Sequence, residues 1–319
     1  MTKSTAGLSS PATQRNINQK KRTLWWCYLF VLPNLIFYAL FQGWPIVINW
    51  YYSTLDWSGI SSNKTFVGLD NYRHLVADPY FWKAFGHSFL FMVSTVPILW
   101  LLSLLVAVVL NNPLLRLAKF YRTLFFIPVI TTTSVIGIIM VFIWSSDGPI
   151  NFLLTRLHLI EHEINWLSEP GMAMIAVIVT YVWKNIGMNM IYWLAGLQGI
   201  PRELYEAARV DGAGPARTFY SITLPLILPI GLVILLLNTA GALKVFDLVK
   251  TMTDGGPFYA TDVVSTYIYR YAFSSEMGLP SLGYASAAGI FFAFSIILVG
   301  LLQALVRKLA SGRDTKGVA

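Results

Sequence analysis

Six stretches of this chain are each long and apolar enough to cross a lipid bilayer, and that constrains the fold more than any other feature. They fall near residues 24–47, 88–110, 124–144, 172–195, 222–248 and 285–306. A spanning helix needs about 20 mostly apolar residues. Only 12% of the chain is charged, about half the usual share in a soluble domain. The runs are continuous and lack the in-out alternation of barrel strands, so the expectation is an all-α membrane protein with six transmembrane helices. The first run follows Lys20, Lys21 and Arg22 and continues through Phe41-Gln42-Gly43-Trp44-Pro45 without a small-residue cleavage site. It reads as an uncleaved span and not a signal peptide. The fifth is the hardest to end, because Lys244 and Asp247 lie near its far end.

Lysine and arginine set the orientation. Flanks 1–23, 111–123, 196–221 and 307–319 hold 15 of the 23 basic residues and four acidic ones. The opposite flanks hold six basic and ten acidic residues. Both termini are therefore expected on the cytoplasmic side. The net charge of +8 is mostly this bias, and no nucleic-acid surface is needed to explain it. The chain divides into a cytoplasmic tail expected to be disordered (1–23), a first helix with its outer loop (24–87), a five-helix core (88–307) that includes a cytoplasmic loop at 196–221, and a second tail (308–319). In the outer loop, Trp57-Ser58-Gly59 suggests a turn and Asp78-Pro79 a helix start.

Several chemistries find no support. The lone Cys27 excludes an intrachain disulfide and reads as a small packing residue. His158 and His162 are spaced i,i+4, but they sit in a polar loop with Glu161 and Glu163 and make a poor metal set. No G-x-x-x-x-G-K-[ST] run is present to hold a nucleotide phosphate. No nucleophile–base pairing suggests a membrane enzyme. Asp247 is the only acid within a predicted span, which argues against the carboxylate relay of an ion-coupled carrier.

The cytoplasmic loop at 196–221 carries the strongest signal. Pro201 and Glu203 mark a helix start, and residues 203–210 can form two turns. Leu204, Ala207 and Ala208 share a face at i, i+3 and i+4. Gly212 and Gly214 end the helix, and Pro215 blocks direct continuation. A second helix then enters the membrane from about Ala216, with Pro229 a candidate kink. Two uses fit this pattern: a connector lying on the lipid surface, or a docking element for another protein. The small alanines, where a lipid-bound helix would carry large apolar groups, favour a protein partner.

Glu206-Ala207-Ala208, three residues, Gly212, nine residues, then Ile222-Thr223-Leu224-Pro225 is similar to the EAA loop of binding-protein-dependent ABC importer permeases. The surrounding "LAGLQGIPRELYEAARVDGAGPARTFYSITLPLILP", with "FVGLDNYRHLVADPYFWKAF" and "TDGGPFYATDVVSTYIYRYAF", resembles the carbohydrate-uptake, maltose-type branch. The resemblance implies a type I ABC importer permease fold in the cell inner membrane. It implies that Leu204, Tyr205, Glu206, Ala207, Ala208, Asp211, Gly212 and Gly214 form a coupling element that docks on an ATPase, with Leu204 and Tyr205 as its apolar anchor. The implied partners are a second homologous permease, two ATPase subunits that bind ATP and magnesium, and an extracytoplasmic solute-binding protein. This chain itself is then a transport subunit without enzymatic activity or cofactor. The outer turn Thr253, Asp254, Gly255, Gly256 and Pro257 is a candidate contact for the binding protein, with a plain surface turn as the alternative.

Ionisable groups at mid-membrane are costly, about 2.5–3.5 kcal/mol on insertion scales, and mark functional sites. Lys184 is the deepest, and Trp183, Asn185 and Asn189 surround it in sequence. Amides beside a flat aromatic ring suit a sugar. Lys244 and Asp247 form a second polar group. The resemblance adds Val245 and Phe246, with Asn238 deeper. The alternatives are internal pairing of Lys184 with Asp247 and helix–helix contacts by the asparagines. No arginine lies within a predicted span, which favours an uncharged sugar over a phosphorylated polyol.

Overall fold

The structure is a computed structural model that describes residues 11–112, 114–274 and 279–314. Helix α1 (Pro11–Tyr38) runs through a wide i→i+5 turn at Ala39–Gly43 into α2 (Trp44–Tyr52). The expected disordered tail is thus helical from Pro11 onward. The Gln, Arg and Lys residues ahead of the apolar run are good helix formers and extend its register backwards. Residues 1–10 lie outside the described residues.

The outer loop is a compact knot. Two short strands, β1 (Leu55–Asp56) and β2 (Thr65–Phe66), pair antiparallel. Gly59 supplies the expected turn at φ +89°. Helix α3 (Asp70–Ala77) is tied back by Asn71, whose Nδ2 donates to the carbonyls of Ser53 and Leu55 at 2.9 Å. Asp78 then caps α4 (Pro79–Leu110), its carboxylate accepting from the Tyr80 amide at 2.8 Å. Proline at the first helical position suits this start. The second span therefore begins at Pro79, ahead of the apolar run itself.

The third span departs from a single helix. Helices α5 (Ala118–Ile130) and α6 (Thr133–Ile143) meet at 101°. Thr131 and Thr132 between them are extended, with ψ 138° and 144°. Three successive β-branched threonines after Pro128 disfavour helix there. Helix α7 (Pro149–Arg156) lies in the next outer loop. Its buried Asn151 donates to the Ser146 and Ile164 carbonyls and accepts from Trp166 Nε1.

Helix α8 (Pro170–Gln198) is the fourth span. Beyond it come α9 (Arg202–Val210), the short α10 (Pro215–Thr218), an i→i+5 turn at Phe219–Thr223, and α11 (Leu224–Leu243). The fifth span was expected to reach residue 248. It stops at Leu243, since Lys244–Phe246 leave the helix and a separate α12 (Asp247–Met252) follows. Helices α13 (Val264–Phe273) and α14 (Leu282–Asp314) complete the order. Among the described residues, five helices are long and apolar enough to span, and the bent pair, taken as one span, makes six. Both basic-rich termini can lie on one side only if the number is even, so the bent pair counts as one crossing.

The core is built on α4 packed along α8, with α11 against both. Near the cytoplasmic end, Leu104, Met190, Trp193 and Ile227 form one buried cluster. Its indoles are anchored: Trp193 Nε1 donates to Ser103 Oγ at 3.2 Å, and Trp100 Nε1 donates to the Gly231 carbonyl at 2.9 Å. Helix α5 reaches α8 because residue 187 is glycine. A Cβ there would sit 2.0 Å from the Phe125 carbonyl oxygen. By contrast, none of the apolar window of α1–α2 is buried, and Cys27 is exposed on it instead of packing.

Candidate functional site

Helix α9 sits at the cytoplasmic end of the bundle and presents two different faces. Glu203, Glu206, Ala207 and Val210 point outward, with Val210 87% exposed. Ala208 and Tyr205 point inward. Ala208 is buried, and the Tyr205 ring packs on the Trp193 cluster while its hydroxyl lies 3.1 Å from Thr223 Oγ1. The expected face of Leu204, Ala207 and Ala208 is therefore split: Leu204 and Ala207 are exposed and Ala208 is not. Tyr205 is an anchor to its own bundle and does not project from it. Val210, three positions after Ala207 on the same face, is more exposed than Leu204.

The helix ends as its glycine requires. Gly212 has φ +71°. The Ala213 amide donates to the Ala208 carbonyl at 2.9 Å and the Gly212 amide to that of Arg209 at 3.1 Å, closing the last turn. Asp211 is exposed at that end. Gly214 does not share this role. Its backbone is extended, at φ −70° and ψ 167°, and leads into Pro215. Two cavities flank α9. One, about 450 Å³, lies toward Asn111, Asn112 and Phe219, and the other, about 320 Å³, toward Arg217 and Ile222.

The second group of predicted residues lies along α8 and around the end of α11. Trp183 is exposed and lines an apolar cavity of about 500 Å³ at the bend of the third span. Lys184 is half-buried on α8, against which α12, beginning at Asp247, packs. Among the described residues Lys184 and Asp247 form no ion pair within 4.0 Å. Lys244 and Asp247 are exposed at the break after α11, whereas Val245 is buried and Phe246 half-buried against Tyr269. Asn185 and Asn189 donate to the carbonyls of Tyr181 and Asn185, one turn back in their own helix. Their shared i,i+4 face is thus partly committed to α8 itself. Asn189 Oδ1 and Asn238 Nδ2 are buried without a partner among the described residues. The structure brings Lys184 and Asp247 into one region and leaves Asn238 in the core.

On the outer side, the turn from Thr253 to Pro257 is rigidly built. Thr253 Oγ1 lies 2.7 Å from Thr261 Oγ1, which donates to the Gly256 carbonyl at 2.6 Å. Gly255 has φ +83°, and a Cβ there would meet Asp262 Oδ1 at 2.9 Å. Asp262 is buried with Arg270, Nη2 to Oδ1 2.5 Å, and accepts from Thr266 Oγ1 at 2.6 Å. Burial pushes the Asp262 carboxyl above the usual carboxylate range, against the pull of Thr266 and Arg270. Arg270 stacks on Tyr259, 4.4 Å from its ring centroid. Only Asp254 and Phe258 of residues 253–258 are exposed, Phe258 at 84% with φ +51° and its carbonyl held by Lys83 Nζ at 3.0 Å. Phe258 lies one residue beyond the predicted contact Thr253–Pro257, at a place where an aromatic is ordinarily an interfacial anchor.

A six-crossing bundle with a short amphipathic helix held across its cytoplasmic end, and a braced turn on the other side, describes a multi-pass membrane protein. The match to known proteins fixes which kind. Residues 79–311 match the family "Binding-protein-dependent transport system inner membrane component". The probable ABC transporter permease protein YurN of Bacillus subtilis is 36% identical over 278 residues, 86% of this chain and 94% of that protein. The lactose transport system permease protein LacF of Rhizobium radiobacter is 33% identical, over 86% of this chain and 92% of its own length. The sn-glycerol-3-phosphate transport system permease protein UgpA of Yersinia pestis is 34% identical, over 87% and 91%. A bacterial ABC transporter involved in import of the acidic polysaccharide alginate superposes with TM-score 0.78 at 25% identity, over 92% of this chain and 98% of that one. This chain belongs to the binding-protein-dependent inner-membrane permease family, as a multi-pass component of the cytoplasmic membrane.

Proposed function

We propose that this chain is one of two membrane subunits of an ATP-driven importer that moves a sugar delivered by an extracytoplasmic binding protein. The observation that carries the reading is α9: an outward face of acids, alanine and an exposed valine on the cytoplasmic side, terminated by Gly212 and tied inward by Tyr205. In this reading Glu206, Ala207 and Val210 seat on an ATPase subunit. ATP and magnesium are held there, and this chain contributes no cofactor. Closure of two ATPases pulls α9 and turns the bundle between inward- and outward-facing states, a rigid-body change driven by differential affinity.

A second permease is favoured by the bare α1–α2 and by Lys184, Lys244 and Asp247. Charged groups at membrane depth require a protein or water-filled neighbour. Such a path between two subunits suits a hydroxyl-rich solute. LacF and UgpA carry lactose and glycerol phosphate in their names and the structural relative imports alginate, which supports a carbohydrate or polyol. The binding protein is expected to meet Asp254 and Phe258, since a relative has been solved with its substrate-bound periplasmic protein.

The test is purification of the tagged chain from its native membrane in mild detergent, with mass spectrometry of what accompanies it. A second permease and an ATPase subunit are the expected companions. A chain that purifies alone and still transports overturns the reading.

A further inference from the structure

We propose that Tyr205 is the positioning residue that carries movement of α9 into α11, through its hydrogen bond to Thr223. The proposal rests on α9 being the ATPase contact.

The covalent route between the two helices is soft. It passes Gly212 and Gly214, the single turn of α10, then the wide turn Phe219–Thr223, in which the Leu224 amide bonds back to the Phe219 carbonyl. Such i→i+5 turns insert an extra residue and break the regular ladder. Just beyond it, Pro225 and Pro229 each remove a backbone donor, leaving the Ser221 and Pro225 carbonyls without their usual helical partners. A displacement of α9 passed only along this segment would be absorbed by it.

Tyr205 bypasses the soft route. Its hydroxyl is 3.1 Å from Thr223 Oγ1, and Thr223 is 6% exposed at the last position of the wide turn. The Tyr205 ring packs on the cluster of Leu104, Trp193 and Ile227, from α4, α8 and α11. Among the described residues, no other α9 side chain forms a hydrogen bond or ion pair. One residue thus joins the handle to the buried cluster and ties it to the irregular foot of α11.

The experiment uses the whole importer, co-purified with its partner subunits in lipid nanodiscs. Hydrogen–deuterium exchange is followed with and without magnesium and a non-hydrolysable ATP analogue. In the wild type, nucleotide changes exchange in both 202–210 and 219–230. In Tyr205→Phe, which keeps the ring, the response of 202–210 persists, while that of 219–230 falls about fivefold, as expected for loss of one neutral hydrogen bond. Thr223→Val gives the same pattern, the double variant is no worse than either single one, and Thr223→Ser, which keeps the hydroxyl, behaves as wild type. An undiminished response of 219–230 in Tyr205→Phe overturns the proposal, as does an equal fall in both segments, the mark of a merely structural residue. A wild-type complex whose 202–210 segment ignores nucleotide removes the underlying reading of α9 as well.

Discussion

At the scale of single residues, the two members of the Asp262–Arg270 pair are not equivalent. Both are buried. Removing one partner of a buried pair costs about 3–5 kcal/mol because the other charge is stranded. Arginine cannot shed its charge, whereas a carboxyl can take a proton. Asp262→Ala should therefore loosen the outer turn more than Arg270→Met, measured as proteolytic cutting between residues 253 and 262 of the purified protein. The pH response should also differ. In Arg270→Met the folded loop holds Asp262 protonated above its ordinary range, so it binds more protons than the unfolded loop. Its stability is then greatest at low pH and falls as pH rises through the folded-state value. The opposite slope, or none, would show that Asp262 stays ionised in the variant. Phe258 lends itself to a separate check at this scale. Phe258→Ala should weaken activation by the loaded binding protein by about tenfold or more if it is a buried anchor of that contact, read as the concentration of binding protein that half-activates ATP hydrolysis.

At the scale of elements, α9 and the close approach of α5 to α8 make different demands on glycine. Gly212 has open space around it, so Gly212→Ala costs only the left-handed backbone, about 1–2 kcal/mol. The protein should still insert and assemble, with weakened uptake. Gly187→Val is expected to be far more damaging, since a side chain meets backbone that has nowhere to go. Thermal melts of the detergent-purified variants would separate the two. Much of this level was legible in advance. Six apolar runs, the charge bias and the helix ended by Gly212 all follow from local chemistry, and so does Asp78 as a cap. The face of α9 was misjudged because Leu204 and Ala208 share helical spacing but differ in what lies beside them. Spacing alone cannot tell that Tyr205 finds Thr223, 18 residues on. The end of α11 at Leu243 was hidden for a related reason. Val245 and Leu248 are apolar and buried in the core cluster beside α6 and α8 although the helix has stopped, so hydropathy runs past the break.

At the scale of the whole molecule, the first span is the anomaly, since none of the apolar window of α1–α2 is buried, whereas part of that of α4, α8, α11 and α14 is. A chain lacking residues 1–52 should keep the core fold, because α4, α8 and α11 pack without them, yet lose its companion permease on co-purification. Retention of the companion would place the contact elsewhere. The broken third span has a consequence for how this protein is made. At about 1.5 Å per residue, α5 and α6 are only about 20 and 16 Å long, each short of the roughly 30 Å hydrocarbon layer. Meeting at 101°, they cross it as a broken pair and not as one straight helix, and the extended backbone at Thr131 and Thr132 needs shelter from lipid. The segment therefore cannot settle in the bilayer by itself as it leaves the ribosome. Its shelter is α8, whose Gly187 receives α5, so this crossing is expected to settle only after the next one has been synthesised.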